Sequence, residues 1–181
     1  MKKLLLSLLL VLPFCSFAQK GMQGVGMTAG YGTPLFFEYE TYSTYNIGAI
    51  YQNNITDNFR LSTSLEMITT RYYDYYDGYD ENARYFLLGV DAHYFLCNVS
   101  RLRPYAVAGF AVGTVDKKEY DEYGYYHNRY QYFTGGAKLG VGLNYRLGYH
   151  LTTQLEIPIY VTWLYHSKYY CLPSLSVLYT F

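Results

Sequence analysis

Six ionisable side chains lie in stretches of the sequence that are otherwise apolar or built from small residues. They are Arg60, Glu66, Asp91, His93, Lys138 and Glu156. Carboxylates and histidines are typical groups for general acid–base catalysis. Away from water, the same groups can instead form a buried structural network, because an isolated buried charge is costly. Which of these two roles applies depends on the secondary structure that carries the six side chains.

Most of these side chains lie in segments whose apolar residues recur at every second position, the period of a β-strand. In residues 60–67, for example, Leu, Thr and Met alternate with Arg, Ser and Glu. Segment 105–115 has Ala, Val and Gly on both faces, so its inward face is not indicated. Pro158 cannot donate to a ladder, so a bulge or weakened pairing is expected beside it. The eight strand-like segments are residues 22–31, 45–52, 60–67, 85–97, 105–115, 133–145, 150–163 and 171–181.

The composition indicates a chain whose surroundings are not only water. Tyr accounts for 26 of the 181 residues. Charged residues make up 15% of the chain, against roughly 25% in ordinary globular domains. The 14 basic and 14 acidic residues give a formal charge of zero, so a nucleic-acid partner is not expected. Beyond residue 20, no apolar run approaches the roughly 20 residues of a membrane-spanning helix. In a membrane, a closed barrel of strands is the remaining solution.

Residues 1–18 have the features of a cleaved signal peptide. Two lysines precede a short apolar run, and Ser16 and Ala18 supply the small residues of a cleavage site. We therefore expect residues 19–181 to form a single exported domain. Cys97 and Cys171 fall at opposite ends of the predicted barrel, so no disulfide is expected between them.

The polar faces of the segments are built mainly from Gly, Ser and Thr rather than from long charged side chains. Small residues suit the narrow interior of an eight-stranded barrel, and the apolar faces then meet lipid. Aromatic residues mark both ends of the apolar face, as interfacial belts do. One belt contains Tyr94, Tyr145, Tyr179 and Phe181, and the other contains Tyr45, Phe133 and Trp163. Turns at 53–58, 98–103 and 146–148 are short, whereas connections at 32–43, 72–84 and 116–130 are long.

The final segment, residues 171–181, carries the aromatic pair Tyr179 and Phe181. It resembles the last strand of bacterial outer-membrane β-barrels, which the barrel-assembly machinery reads by its terminal aromatic. With eight strands and alternating connections, the chain resembles the small barrels of the OmpA/OmpX-type or porin-like families, and its leader resembles exported proteins of Bacteroidota. This resemblance implies an all-β, eight-stranded antiparallel up-and-down transmembrane barrel with both termini periplasmic. Outer-membrane lipid and the assembly machinery are the implied partners.

The ionisable side chains should then project into the barrel interior. Counting inward from the short turns puts Glu66, Asp91 and Glu156 near Lys138 at mid-barrel. We predict a lumen network centred on Lys138 that plugs the barrel. Three acids outweigh one lysine, so either Arg60 or His93 contributes to the charge balance or one acid is protonated. A plugged lumen gives substrate no entry, so no enzyme activity and no cofactor are expected.

The long loops are the candidate functional part of such a barrel. Tyr offers large contact area at low entropic cost, so Tyr-rich loops favour a binding or adhesive surface for an extracellular protein or glycan. The other interpretation is that the loops only pack on one another and coat the cell. Strands three to six are expected to extend beyond the membrane. The candidate binding residues are Tyr73, Tyr75, Tyr76, Tyr79, Tyr123, Tyr125 and Tyr126.

Two alternatives concern other functions. A narrow pore would give discrete conductance in planar bilayers. A lipid A-modifying enzyme would need a histidine with a serine or acid at the outer rim, for which His127, His166 and Ser167 are available. The acidic loop residues Asp74, Asp77 and Asp80 lack the ligand spacing of a calcium loop, so no metal is expected.

Overall fold

The computed structural model describes residues 21–35, 40–74, 79–97, 101–120, 126–163 and 168–181. At 33–35, 40–42, 72–74, 79–81, 126–127, 162–163 and 168 it describes the backbone alone. Within these ranges, no helix is long and apolar enough to cross a membrane. The strands are β1 (Gln23–Leu35), β2 (Glu40–Asn54), β3 (Phe59–Asp74), β4 (Tyr79–Phe95), β5 (Leu102–Tyr120), β6 (Tyr126–Arg146), β7 (Leu151–Trp163), β8 (Lys168–Cys171) and β9 (Ser174–Thr180).

The strands form one antiparallel sheet that closes on itself. Each strand from β1 to β7 pairs with the next one in sequence. Both β8 and β9 pair with β7 on one side and with β1 on the other, so they are two lengths of a single strand. The result is a closed eight-stranded up-and-down barrel, which confirms the predicted fold class and the predicted pairing of the last strand with the first.

Two prolines explain why the last strand is divided. Pro158 of β7 lies opposite Leu172, and Pro173 lies opposite Tyr31 of β1, because the registers on either side of the break are continuous. Leu172 N donates to Pro158 O at 3.2 Å and Tyr31 N donates to Pro173 O at 3.1 Å. The reciprocal bonds cannot form, because proline has no N–H. The pairing beside Pro158 is therefore weakened as predicted, but without a bulge.

The barrel is polar inside and apolar outside. In β7, Gln154 and Glu156 are buried, whereas Leu155 and Ile157 are both 47% exposed. Ser174 and Ser176 of β9 are likewise buried between exposed apolar neighbours. A water-soluble barrel would show the opposite pattern, so the outer face is suited to lipid.

The register of β5, which the sequence does not indicate, is resolved by burial. Tyr105, Val107 and Val115 point inward and are buried, whereas Phe110 and Val112 point outward and are exposed. Tyr105 thereby places a hydroxyl in the lumen from the strand whose inward face the sequence does not indicate.

The strands extend further at one end of the barrel than at the other. Strands β3 to β6 contain 16, 17, 19 and 21 residues, compared with 13 in β1 and in β7. Their added length lies at one end, where β2 also stays paired with β3 as far as Glu40 with Tyr73. The ends of β3 to β6 on this side, residues 69–74, 79–84, 116–120 and 126–131, are here called the ribbon. Their extension beyond the membrane stays a prediction. The opposite end, here called the turn end, carries the short connections around residues 55–58 and 147–150.

Aromatic side chains lie on the outer face near both ends. Tyr94, Tyr145, Tyr179 and Phe181 are exposed at the turn end. Tyr45 and Phe133 are exposed toward the ribbon end, and the side chain of Trp163 lies outside the described residues. Cys97 follows β4 at the turn end, whereas Cys171 lies in β8 on the ribbon side, and neither is disulfide-bonded.

Candidate functional site

Lys138 lies at the centre of the lumen and contacts two carboxylates. Its Nζ is 2.5 Å from Asp91 Oδ2 and 3.0 Å from Glu156 Oε1. All three residues are buried. The register explains the contact, because Asp91 and Lys138 stand on either side of Gly109 in one cross-strand row. Lys138 is thus the shared cation of two carboxylates, either of which would be costly to bury without an opposite charge.

Neutral donors contact one oxygen of Glu156 and one oxygen of Glu66. Tyr105 OH donates to Glu156 Oε2 at 3.0 Å. Glu66, which the sequence grouped with Lys138, instead accepts from Asn46 Nδ2 at 3.0 Å and from Tyr160 OH at 3.3 Å. Tyr160 links the two groups, because the Lys138 ammonium lies 5.7 Å from its ring centroid.

His93 stands beside Glu156 without a short hydrogen bond to it. Its Nε2 is 4.0 Å from Glu156 Oε2, and its ring stacks on Tyr105 with centroids 4.8 Å apart. Among the described contacts, His93 therefore serves mainly as a packing surface for the tyrosine that holds Glu156.

Two glycines make room for these side chains. A Cβ at position 142 would lie 2.4 Å from Cζ of Tyr105, so the phenol ring lies directly over Gly142. A Cβ at position 109 would lie 2.0 Å from Asp91 Oδ1 and 2.7 Å from Val90 O. The absence of a side chain at both positions lets an eight-stranded barrel hold a tyrosine and an ion pair at one level.

Arg60 belongs to a second layer, nearer the turn end, which is built from amides. Its Nε donates to Asn54 Oδ1 and its Nη1 to Gln52 Oε1, both at 2.8 Å. Asn144 Oδ1 accepts from Arg60 at 3.3 Å and from Gln154 Nε2 at 2.9 Å. Arg60 therefore contacts neutral oxygens and does not balance any of the three acids by direct pairing.

Bulky side chains close the lumen above and below the polar layers. On the ribbon side, Tyr85 and Tyr170 share a hydrogen bond of 3.2 Å between hydroxyls and pack with Leu172. On the turn side, the Phe95 ring lies between the guanidinium carbons of Arg60 and Arg103, at 4.6 and 4.1 Å. The cavity left among the polar side chains measures about 20 Å³, which is room for very few water molecules.

This arrangement can stabilise the barrel, and the described residues form no open cleft beside it. The lumen network is enclosed, and its carboxylates are held by a lysine and two tyrosine hydroxyls rather than aimed at an open cleft. Within the described part of the chain, no group of three or more His, Cys, Asp and Glu side chains could hold a metal ion. The described geometry therefore does not support a role in acid–base catalysis for the lumen carboxylates and histidine.

Replacing Tyr105 with phenylalanine tests whether its hydroxyl, a neutral donor to Glu156, stabilises the barrel. We expect the free energy of unfolding to fall by about 1.5–3 kcal/mol, because a hydrogen bond to a charged group is lost in the interior. Urea titration in detergent micelles, compared with Tyr94→Phe on the exposed outer face, measures the difference. Equal midpoints for the two variants would mean that the Tyr105 hydroxyl contributes nothing.

The ribbon is the second candidate site. Among the predicted binding residues, Tyr73, Tyr79 and Tyr126 lie in its strands, although their side chains are outside the described residues. Tyr75, Tyr76, Tyr123 and Tyr125 lie outside the described residues altogether, as do His166, Ser167, the side chain of His127 and the acidic side chains considered for calcium.

An ion pair joins the ribbon strands β5 and β6. Arg129 donates to both oxygens of Asp116, from Nε at 2.7 Å and from Nη2 at 3.0 Å. Within β5, Lys117 Nζ lies 3.1 Å from Glu119 Oε1. The Arg129 hydrogen bond lowers the pKa of Asp116, so this carboxylate remains charged at neutral pH. Fork-like pairing of this kind fixes the guanidinium in the plane of the carboxylate.

The predicted assembly residues lie at the edge of the barrel where the chain closes. Phe181 N donates to Gln23 O at 2.9 Å, and Gln23 N donates to Phe181 O at 3.1 Å. The rings of Tyr179 and Phe181 lie 6.5 Å apart on the outer face, and His150 stacks on Tyr179 at 5.5 Å. Phe181 thus contributes both to closure and to the exposed aromatic belt.

One family model matches most of the chain. A family model for an outer membrane protein beta-barrel domain matches residues 4–166. No curated protein matches the chain.

Solved structures share the fold at low identity. The N-terminal β-barrel domain of Pseudomonas aeruginosa OprF is 18% identical, with a TM-score of 0.57 over 90% of this chain and 100% of that chain. The attachment invasion locus protein Ail of Yersinia pestis is 11% identical, with a TM-score of 0.56 over 90% and 100%. Neisserial surface protein A is 14% identical, with a TM-score of 0.53 over 88% and 97%. At these identities the likeness concerns the fold alone.

Proposed function

The chain belongs to the family of outer membrane protein β-barrel domains, and within that family we propose that it is a surface-binding protein with an adhesive role. The protein is located in the bacterial outer membrane, with short turns toward the periplasm and longer connections outside the cell. In this proposal the ribbon is the binding element and the filled barrel is its support.

The observation that carries the proposal is the one-sided extension of four neighbouring strands. A barrel that only had to span the membrane needs strands of roughly 9–11 residues. Strands β5 and β6 are paired from Leu102 with Tyr145 as far as Tyr120 with Tyr126. Backbone pairing at this length gives the outer connections a stiff base, which lowers the entropy lost on binding.

The residue types at the tip of the ribbon support recognition. Residues 72–79 contain five tyrosines, and residues 120–126 contain four. Tyrosine is favoured in binding surfaces, because it buries a large area with few rotatable bonds. Ail, which shares the fold, has been crystallised with the heparin analogue sucrose octasulfate. A small barrel can therefore carry a binding surface, and an extracellular protein or glycan is the ligand class we propose here.

The lumen packing argues against the two other functions. A pore needs a continuous path, but Phe95, Tyr105 and Leu172 are buried at successive levels inside the barrel. An enzyme acting through the lumen carboxylates would need an open approach to Asp91 or Glu156, which are enclosed. Both arguments leave the ribbon as the element available to a ligand.

Trimming the ribbon tests the proposal. Residues 73–80 and 119–128 would each be replaced by an Asn-Gly turn, which suits a two-residue hairpin and joins Tyr72 to Glu81 and Lys118 to Arg129, pairs already in register. We expect cells displaying the trimmed protein to lose binding to an array of sulfated and neutral glycans and to immobilised matrix proteins.

The matched control is the same Asn-Gly replacement at residues 164–167, outside the ribbon, which should retain binding. Surface staining and heat-modifiable migration would verify equal display of folded barrel. Binding by the trimmed protein equal to that of the native protein would contradict the proposal. Native protein that binds none of these probes above barrel-free cells would favour the structural, cell-coating role instead.

A further inference from the structure

The outer face of the ribbon begins with two polar rows that run across all four strands. Residues on one register row of neighbouring antiparallel strands share a face and lie about 4.5–5.5 Å apart. The first row is Thr69, Arg84, Asp116 and Gln131, and the second is Arg71, Asn82, Lys118 and Arg129.

These two rows are strongly basic. They hold four cations and one carboxylate, and Arg71, Arg84 and Arg129 are exposed, with Lys118 half-buried. Arg129 is engaged with Asp116. Asp116 also interacts electrostatically with Arg84 and Lys118, so the two rows together keep an excess of three positive charges, four cations less one carboxylate.

The rows lie directly beyond the apolar band. The preceding row on the same face is Met67, Phe86, Thr114 and Phe133, in which Phe86 is 52% and Phe133 is 62% exposed. Successive rows on one face are separated by about 7 Å along the strands. Aromatic rings at the edge of an apolar band mark the membrane interface, so the cations fall within the headgroup layer.

We infer that this basic surface binds the phosphate groups of lipid headgroups in the outer leaflet. Arg84 and Lys118 stand diagonally across β4 and β5, about 7–8 Å apart at Cα, so their long side chains can converge on one phosphate. Arginine binds phosphate oxygens through paired N–H groups, and lysine adds a compact charge. The adjoining apolar band accommodates the acyl chains of the same lipid.

A lipid fits these observations better than a soluble polyanion. The cations adjoin Phe86 and Phe133 rather than the ribbon tip, where a soluble ligand would meet the tyrosine-rich segments. On the β2 side, where the side chains of the row are described, the basic surface does not continue. Continuing the first row through β2 and β1 leads to Tyr45 and Tyr31, which carry no charge. Among the side chains that the structure describes, the proposed phosphate contacts therefore lie along β3 to β6.

Native mass spectrometry in dodecyl maltoside micelles tests the inference. The full barrel would be titrated with lipid A carrying its phosphates and with dephosphorylated lipid A. We expect the native protein to prefer the phosphorylated form. The double variant Arg84→Gln/Lys118→Gln should bind that form about thirtyfold more weakly, given the typical attraction of two interfacial cations.

Three controls make the test specific. Arg84→Lys/Lys118→Arg keeps both charges and should keep the preference. Arg101→Gln removes an exposed cation at the turn end and should have no effect. The ribbon trimming described above retains both rows, so the lipid preference should survive it even where surface binding is lost.

Four results would overturn the inference. Equal binding of the two lipid forms by the native protein, or an unchanged preference in the glutamine variant, would remove the phosphate site. Displacement of the lipid by inorganic phosphate at equal concentration would indicate a generic anion site. If the Arg84→Gln/Lys118→Gln variant lost binding to soluble heparin but kept its binding to lipid, the surface would be assigned to a glycan.

Discussion

Replacing Lys138 with methionine is expected to lower the free energy of unfolding by about 3–5 kcal/mol, the largest effect of any substitution in the lumen. The ammonium lies 2.5 Å from Asp91 and 3.0 Å from Glu156. Without it, two carboxylates remain in the interior with the Tyr105 hydroxyl as the described donor to Glu156. Urea unfolding in micelles, followed by the fluorescence of the single tryptophan, would measure the change.

Two further variants identify the cause. In the triple variant Lys138→Met/Asp91→Asn/Glu156→Gln the unpaired charges are gone, so much of the lost stability should return. Lys118→Met on the ribbon surface should change the midpoint little. An unchanged midpoint in Lys138→Met alone would show that the ion pairs do not hold the lumen together.

Deleting Phe181 is expected to remove most of the folded barrel from the outer membrane. The deletion eliminates the two hydrogen bonds between Phe181 and Gln23, together worth about 1–3 kcal/mol, and the exposed ring beside Tyr179. The amount of heat-modifiable protein in outer-membrane fractions measures assembly, and refolding of purified protein into micelles measures intrinsic stability.

Phe181→Ala separates the two contributions of this residue. The variant keeps both backbone hydrogen bonds and removes the ring alone. If the aromatic is an assembly signal, this variant should refold normally in micelles yet reach the membrane poorly. Leu151→Ala, which removes another exposed apolar side chain at the same end, serves as the control. Native levels of Phe181→Ala in the membrane would contradict the assembly role.

The fold could be predicted from the sequence because each strand carries its own signal. Alternation in segments such as 60–67 fixes the inward face locally, and Gly, Ser and Thr on that face indicate a narrow lumen. Segment 105–115 shows the limit of this argument. With small apolar residues on both faces, nothing local indicates that Tyr105 points inward, and only pairing with β4 and β6 determines it.

The interior network could be predicted only in part. Counting residues from the turns assumes that the strands run parallel to the barrel axis. Because the strands are tilted, residues at the same count from their turns lie at different heights along that axis. Glu66 illustrates the error, since its row lies four residues beyond Ser62, the residue that faces Asp91. The amide layer of Gln52, Asn144 and Gln154 gave no signal, because neutral polar residues are also common on exposed strand faces.

The divided last strand has a consequence for how the barrel wall can open. β9 pairs with β1 at seven positions, whereas β8 pairs with β1 at three, and the two prolines interrupt the bonding between these lengths. Local fraying of β8 can therefore proceed without loosening β9, which alone keeps the ring of strands continuous. Amide exchange should accordingly be faster at Tyr169 and Tyr170 than at Ser176 and Val177, with closure maintained throughout.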